Sequence, residues 1–224
     1  MKMEFKINYF NQILNKFDQL DKISNQKVNI YLIGGAVLLE QGLKQGTKDI
    51  DLILTNDEDY NYFCNLLKKD NSHQLELPEK EYLKLKISEI IIQDDFRFDV
   101  FNKVVCDKLY LSKEMIKRAR LIKEYKHLNL YACSNEDILI FKSITERPGD
   151  IDDCLELVKK GLNWNVILEE IQNQVKESKQ QVWITWFEER LNLLEDKGVS
   201  VSIIQEIREL SEGYYKLLEE EKNE

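Results

Sequence analysis

The residues whose types and spacing could do chemistry are two glycines and three aspartates. Gly34-Gly35 ends a short apolar run, Asp49 and Asp51 follow it in Asp49-Ile50-Asp51-Leu52, and Asp99 stands inside Phe98-Asp99-Val100-Phe101. A glycine pair lets the backbone approach a ligand closely, and amide groups at the start of a helix favour a phosphate. Residues two apart on a strand project from one face, so Asp49 and Asp51 can share metal ions. That pattern suits phosphoryl-type transfer, in which Mg2+ ions bridge carboxylates to phosphates, activate an attacking hydroxyl and stabilise a leaving pyrophosphate. Neither a glycine pair nor an Asp-x-Asp pair is specific alone, and the bland reading of the aspartates is a solvated strand end or a turn. Their order, with a third carboxylate on a later strand, is far more specific.

The elements that must position these residues can be read from periodicity. Phe5, Tyr9, Ile13, Phe17 and Leu20 are spaced by threes and fours, which predicts an amphipathic helix over 5–20. Residues 28–33 read as a strand, 36–43 as a helix stopped near Gly46, and 49–54 as a strand with a wet start and a buried remainder. Asn56-Asp57 reads as a turn and N-cap for a helix over 58–69. EYLKLKI (81–87), EIIIQ (89–93) and FRFDVF (96–101) are strand-like pieces that extend a mixed sheet.

Beyond residue 112 the pattern turns helical, starting with KEMIKRARLI and interrupted by an extended LNLYACS. The later helical segments begin at Glu136, Asp150, Trp164, Gln181 and Val201. The fold class is therefore α+β, an α/β half over 1–132 followed by an all-helical half over 133–224. Trp183, Trp186 and Phe187 fall at helical spacing and read as core. The acidic LLEEEKNE reads as a solvated helix end.

Composition sets the limits. With 43% hydrophobic residues and 10% aromatics in 224, the chain has material for a real core. No apolar stretch approaches the roughly 18 residues that cross a bilayer, and MKMEFKINYFNQ lacks a signal peptide's apolar run. No membrane association and a cytoplasmic location are expected. Cys64, Cys106, Cys133 and Cys154 form no CxxC pair and His73 and His127 stand alone, so a zinc site is not indicated and the thiols read as buried apolar groups. A net charge of -9 argues against broad nucleic-acid binding, while leaving room for a local basic groove. An acidic site can still hold a nucleotide through divalent metal.

On these motifs the sequence resembles the nucleotidyltransferase superfamily that includes DNA polymerase β, the kanamycin and lincosamide nucleotidyltransferases and the minimal nucleotidyltransferases of toxin-antitoxin systems. Ile33-Gly34-Gly35 looks like the first motif, Asp49-Ile50-Asp51-Leu52 the second and Phe98-Asp99-Val100 the third. Ala36 and Thr47-Lys48 stand where many members carry a hydroxyl beside the glycines, or a Ser or Arg before the aspartates. Residues 134–153, SNEDILIFKSITERPGDIDD, are similar to the later motifs of abortive-infection type toxin nucleotidyltransferases and of archaeal nucleotidyltransferase-like proteins. There Lys142 matches a lysine that contacts nucleotide phosphates, and Arg147, Asp150 and Asp153 match the following element, whose first acid supports the catalytic site. Read without the resemblance, Lys142 snorkels or meets an anion, Asp150 caps a helix, and Arg147 and Asp153 pair across two helices.

The resemblance implies a nucleotidyltransferase-type mixed sheet and Mg2+-dependent transfer of a nucleoside monophosphate from an NTP to an acceptor hydroxyl. Asp49, Asp51 and Asp99 would be catalytic and would hold two Mg2+ ions. Gly34, Gly35, Lys48, Lys142 and Asp150 would face the nucleotide, with Lys44 and Lys48 able to steer a triphosphate. The acceptor is open among tRNA, a protein and a small molecule, and an antitoxin or a second copy is a candidate partner. The alternative is a non-catalytic binding or regulatory module of the same fold, for example in a toxin-antitoxin pair.

Overall fold

Strands that carry apolar residues on both faces lie in the middle of a sheet, and two segments here have that character. Val28–Leu32 (β1) is buried except at Asn29, and Ile50–Leu54 (β2) is buried throughout. In the computed structural model, which describes residues 6–69, 74–75, 89–145, 147–177 and 181–223, both are central strands. The chain divides into two compact units, Met1–Ser134 and Asn135–Glu224.

The first unit continues with Gln74–Leu75 (β3), Glu89–Gln93 (β4), Phe96–Asn102 (β5), Val104–Val105 (β6), Leu109–Tyr110 (β7), Arg120–Glu124 (β8) and Leu128–Ala132 (β9). Among the described residues these form a mixed sheet of order β3-β4-β5-β2-β1-β9-β8, with β6 and β7 as a separate ribbon. β2 runs parallel to β5 and antiparallel to β1, and β1 runs parallel to β9. Its helices are Phe10–Ile23 (α1), Gly35–Glu40 (α2), Asp57–Leu67 (α3) and Lys113–Arg118 (α4). Phe17 of α1, Phe63 of α3 and Phe98 of β5 pack their rings together, with centroids 6.1 and 6.5 Å from Phe17, and join helices to sheet. Asn56 caps α3 by accepting from the Asp59 amide at 2.8 Å.

The first helix starts five residues later than its periodicity predicts. Ile7 is extended and exchanges backbone hydrogen bonds with Thr47, at 2.7 and 2.9 Å. The Gln12 side chain accepts from the Asn8 and Tyr9 amides and fixes the start at Phe10. Apolar spacing cannot report a long-range bridge of this kind. Phe5 lies outside the described residues, as does the strand expected over 81–87.

A second difference concerns KEMIKRARLI, which periodicity reads as one helix. The helix stops at Arg118, Ala119 turns extended at φ -61° and ψ 134°, and β8 pairs with β9. Pairing with an edge of the sheet outweighs the helix propensity of Arg120–Lys123. α2 is also shorter than expected, since the chain leaves it at Gly42 with φ +71°.

The second unit contains Asn135–Ser143 (α5), Pro148–Lys160 (α6), Trp164–Glu177 (α7), Trp183–Asp196 (α8) and Ile204–Asn223 (α9). α5 packs against α6, α7 and α8, and every side chain from Asp137 to Ser143 is buried. A helix covered on all sides carries no amphipathic stripe. Trp183 and Phe187 are fully buried, as their spacing predicts, whereas Trp186 is only half-buried. The fold is thus α+β, a mixed sheet with helices followed, among the described residues, by helices alone. No described helix is long and apolar enough to cross a membrane.

Candidate active site

Strand register brings the aspartates together. Asp51 and Asp99 are direct partners in the parallel β2–β5 pair, so their side chains leave the same face side by side. Asp49 precedes β2 by one residue, and its carboxylate reaches the same place. One oxygen from each of the three lies within 4.8 Å of the others. Burial is graded across the group: Asp99 is 1% exposed, Asp51 8%, and Asp49 half-buried.

The turn before β2 is held from several sides. Thr47, fixed by its bridge to Ile7, donates its hydroxyl to the Asp49 carbonyl at 3.1 Å. Gly34 adopts φ +69° and ψ -146° ahead of α2, and a Cβ built on it would lie 2.2 Å from Asp51 Oδ2. A Cβ on Gly35 would lie 2.6 Å from the Thr47 hydroxyl and 3.8 Å from Lys44 Nζ. The glycine pair thus lets the backbone lie directly against the carboxylate site. Because α2 has only six residues, the contribution of the pair rests on close approach rather than on a long helix dipole. Lys44 is half-buried beside Gly35, whereas Lys48 is exposed.

Gly34→Ala is expected to fail on both counts. A left-handed backbone costs a non-glycine residue roughly 1–2 kcal/mol, and the methyl group must displace Asp51 as well. The expected result is a Tm lowered by several degrees together with loss of any Mg2+-induced rise in Tm. An unchanged Mg2+ response in a folded variant would show that Asp51 keeps its position without the glycine.

One residue of the site escapes the motif pattern. Arg97, two positions before Asp99 and therefore on its face of β5, donates from Nε to Oδ1 at 2.8 Å and from a terminal nitrogen to Oδ2 at 3.1 Å. Such a two-pronged contact fixes a carboxylate in orientation and offsets its charge. The signal was present in Phe96-Arg97-Phe98-Asp99, where alternation places both polar residues on one side. With Arg97 counted, three carboxylates and one guanidinium leave the group net negative. Three hard oxygen donors beside a glycine cradle fit Mg2+ or a similar cation. Among the described residues this is the one cluster of acidic, His or Cys side chains with such geometry.

The other expected nucleotide contacts lie in the second unit. Lys142, 4% exposed, places its ammonium 2.8 Å from Asp150 Oδ1 and 2.6 Å from Asp153 Oδ2. Asp150 also accepts from Thr145 and, at 3.0 Å, from Arg147 Nε. Burial alone would lower the Lys142 pKa, but the two carboxylates override it and hold the group above its ordinary value. Burial likewise opposes ionisation of Asp150, and Lys142 and Arg147 overcome it, bringing the carboxyl down to about 2. Arg190 of α8 donates to the Thr145 carbonyl at 2.5 Å. The cluster ties α5, α6 and α8 together.

No disulfide joins the four cysteines, and all four are buried. Burial pushes the Cys64 and Cys154 thiols up to about 12, far from a nucleophilic thiolate at neutral pH.

A strand leading into Gly-Gly, an Asp-x-Asp strand and a third aspartate on its parallel neighbour define the nucleotidyltransferase superfamily architecture. Residues 8–192 match the family described as "Nucleotidyltransferase of unknown function (DUF6036)", and the chain belongs to that family. No curated protein matches it.

Proposed function

We propose that the protein transfers a nucleoside monophosphate from an NTP to an acceptor hydroxyl, with Mg2+ held by Asp49, Asp51 and Asp99. The observation that carries this reading is the meeting of three carboxylates within 4.8 Å beside a glycine whose Cβ would strike Asp51. When bound, the metal supplies charge neutralisation of the triphosphate and of the leaving pyrophosphate. The roles of the chain's own groups follow from their placement. The amides around Gly34 and Gly35 receive phosphate oxygens, and Lys44, with its ammonium beside Gly35, adds positive charge there, with Lys48 at the rim. Asp99 assists deprotonation of the acceptor, and Arg97 holds it in orientation for that task.

Lys142 and Asp150 enter this reading with a condition. The Lys142 ammonium reaches a phosphate only by giving up Asp150 or Asp153, both within hydrogen-bond distance. Their part in the resting protein is to join α5 to α6.

Arg97 also favours a second reading, in which nucleotide binds and no transfer follows, because a guanidinium already occupies both Asp99 oxygens. Calorimetric titration with ATP, GTP, CTP and UTP in the presence of Mg2+, followed by incubation of labelled NTPs with tRNA and cell lysate, tests both. Binding of at least one nucleotide, lost in Asp49→Ala plus Asp51→Ala, and label transfer lost in Asp99→Asn are the expected outcomes. Binding without any transfer would favour the second reading, and no binding at all would sink both.

A further inference from the structure

The net charge of -9 hides a strong segregation. Between residues 108 and 126 there are seven Lys and Arg residues and two Glu, so the remainder of the chain is more acidic than the total shows. Lys113, Lys117, Arg120, Lys123 and Lys126 are exposed. They occupy α4, the edge strand β8 and the turn after it. All of these lie in the unit that carries Asp49, Asp51 and Asp99.

Part of this charge is already compensated. Lys117 meets Glu114 at 3.2 Å, and Arg120 meets Glu40 at 2.6 Å. Lys123 stacks over the Tyr125 ring, 4.4 Å from its centroid, and no ion pair is formed by Lys113, Lys123 or Lys126 among the described residues. Lysines on an edge strand also discourage strand addition, which would account for Lys123. It does not account for Lys113 on the helix before β8 or for Lys126 beyond it. Glu114 and Glu124 lie within the strip and Asp21 accepts from the Lys126 amide at 3.2 Å, but the cations outnumber these acids, and their spread over a helix, a strand and a turn matches a partner with regularly spaced negative charge.

The position relative to the carboxylates is informative. β8 is three strands from β2, about 15 Å at ordinary strand spacing. Arg120 and Lys123 are in register with Ala132 and Leu130. Arg120 holds Glu40, the last residue of α2, whose first residue is Gly35 beside the carboxylate site. The strip and the site are therefore joined by one helix of six residues, about 9 Å long.

We propose that this strip binds the phosphodiester backbone of an RNA, which makes a nucleic acid the acceptor; this rests on the transfer reading above and names its acceptor class. The contacts are electrostatic and independent of sequence, so affinity falls steeply with salt. Fluorescence anisotropy with a labelled RNA hairpin carrying a single-stranded 3′ end, at about 50 mM salt, reads the interaction directly. The test variant is Lys113→Glu, Lys123→Glu, Lys126→Glu. A control of equal net charge is Lys160→Glu, Lys176→Glu, Lys197→Glu, all exposed and in the other unit.

Wild type and control are expected to bind. The strip variant is expected to lose at least about tenfold in affinity, with the slope of log K against log salt shallower by about 2 for three lost phosphate contacts. Calorimetric binding of ATP with Mg2+ is expected to be unchanged in the strip variant. No RNA binding by wild type, or equal losses in strip variant and control, would overturn the proposal. So would a dimer through β8 that the same substitutions abolish. Failure of the ATP titration overturns the transfer reading, and failure of the RNA titration overturns this one, so the two are separately decided.

Discussion

Asp51→Asn is expected to make the metal-free protein more stable while reducing nucleotidyl transfer by about a thousandfold. The opposite signs follow from one geometry. Three carboxylates lie within 4.8 Å of one another, and Arg97 offsets one charge. Two like charges at that distance repel by roughly 1–3 kcal/mol as the effective dielectric falls from that of water to that near a protein surface. Asp51 is 8% exposed, so its share is screened less than that of half-buried Asp49. Replacing its carboxylate with an isosteric amide removes the repulsion at constant shape. A gain of about 1 kcal/mol, or 2–4 °C in Tm, is expected in buffer with chelator. Mg2+ should raise the Tm of the wild type, because it binds only the folded arrangement, and leave the variant unmoved. The transfer loss takes its scale from the removal of a single preorganised charge-stabilising group, about 10²–10³. Melting curves with chelator and with Mg2+ would settle the matter. A variant less stable than wild type without metal would show that Asp51 is held by compensating contacts rather than poised to receive a cation.

How far this site could be read from the sequence depends on the kind of interaction involved. Asp49, Asp51 and the glycine pair are legible because they lie within one strand-turn-helix-strand stretch, where spacing alone fixes the shared face. Asp99 required a further step, since only the parallel register of β2 and β5 sets it opposite Asp51. Arg97 was visible as a residue and not as a role. Its alternation with Asp99 was present, but whether a strand cation meets its own neighbour or solvent depends on burial that sequence does not report. The Ile7–Thr47 bridge, which steadies the turn before Asp49, spans 40 residues and shortens a helix that periodicity places at 5–20. β8 is hidden from periodicity for a related reason. Arg120–Ile122 continue a helical pattern from α4, and only the open edge of β9 makes a strand the better solution. The buried helix α5 is legible in its apolar run, yet nothing in ILIFKSI says that Lys142 faces carboxylates. That became apparent only when α6 was packed against it.

Lys142→Met is expected to be the most destabilising single substitution in the helical unit. The side chain is 4% exposed and its ammonium neutralises two carboxylates that are themselves almost wholly buried. Removing one member of a buried ionic group leaves uncompensated charge and costs about 3–5 kcal/mol, a Tm decrease of about 10 °C or more. Arg147 remains beside Asp150 and limits the loss there. The pH dependence identifies the cause. In the wild type Asp150 titrates at about 2, below its ordinary 3.8, so its contribution is complete above pH 4 and is lost as pH falls through the interval to 2. The Lys142 value is raised, so its contribution is complete below its ordinary 10.5 and is lost only as pH rises through the folded value. Stability from the cluster should therefore be flat between about pH 4 and 10 in the wild type. In Lys142→Met the stranded carboxylates are relieved by protonation, so the deficit relative to wild type should shrink as pH falls from 7 to 4.5. Lys142→Met with Asp153→Asn should recover part of the loss, since the two residues act as one unit and their effects do not add. Thermal melts of the wild type and the two variants across that pH range measure each quantity. A deficit independent of pH, with no recovery in the double variant, would mean that Lys142 contributes through the packing of its aliphatic stem on α5 and not through its charge.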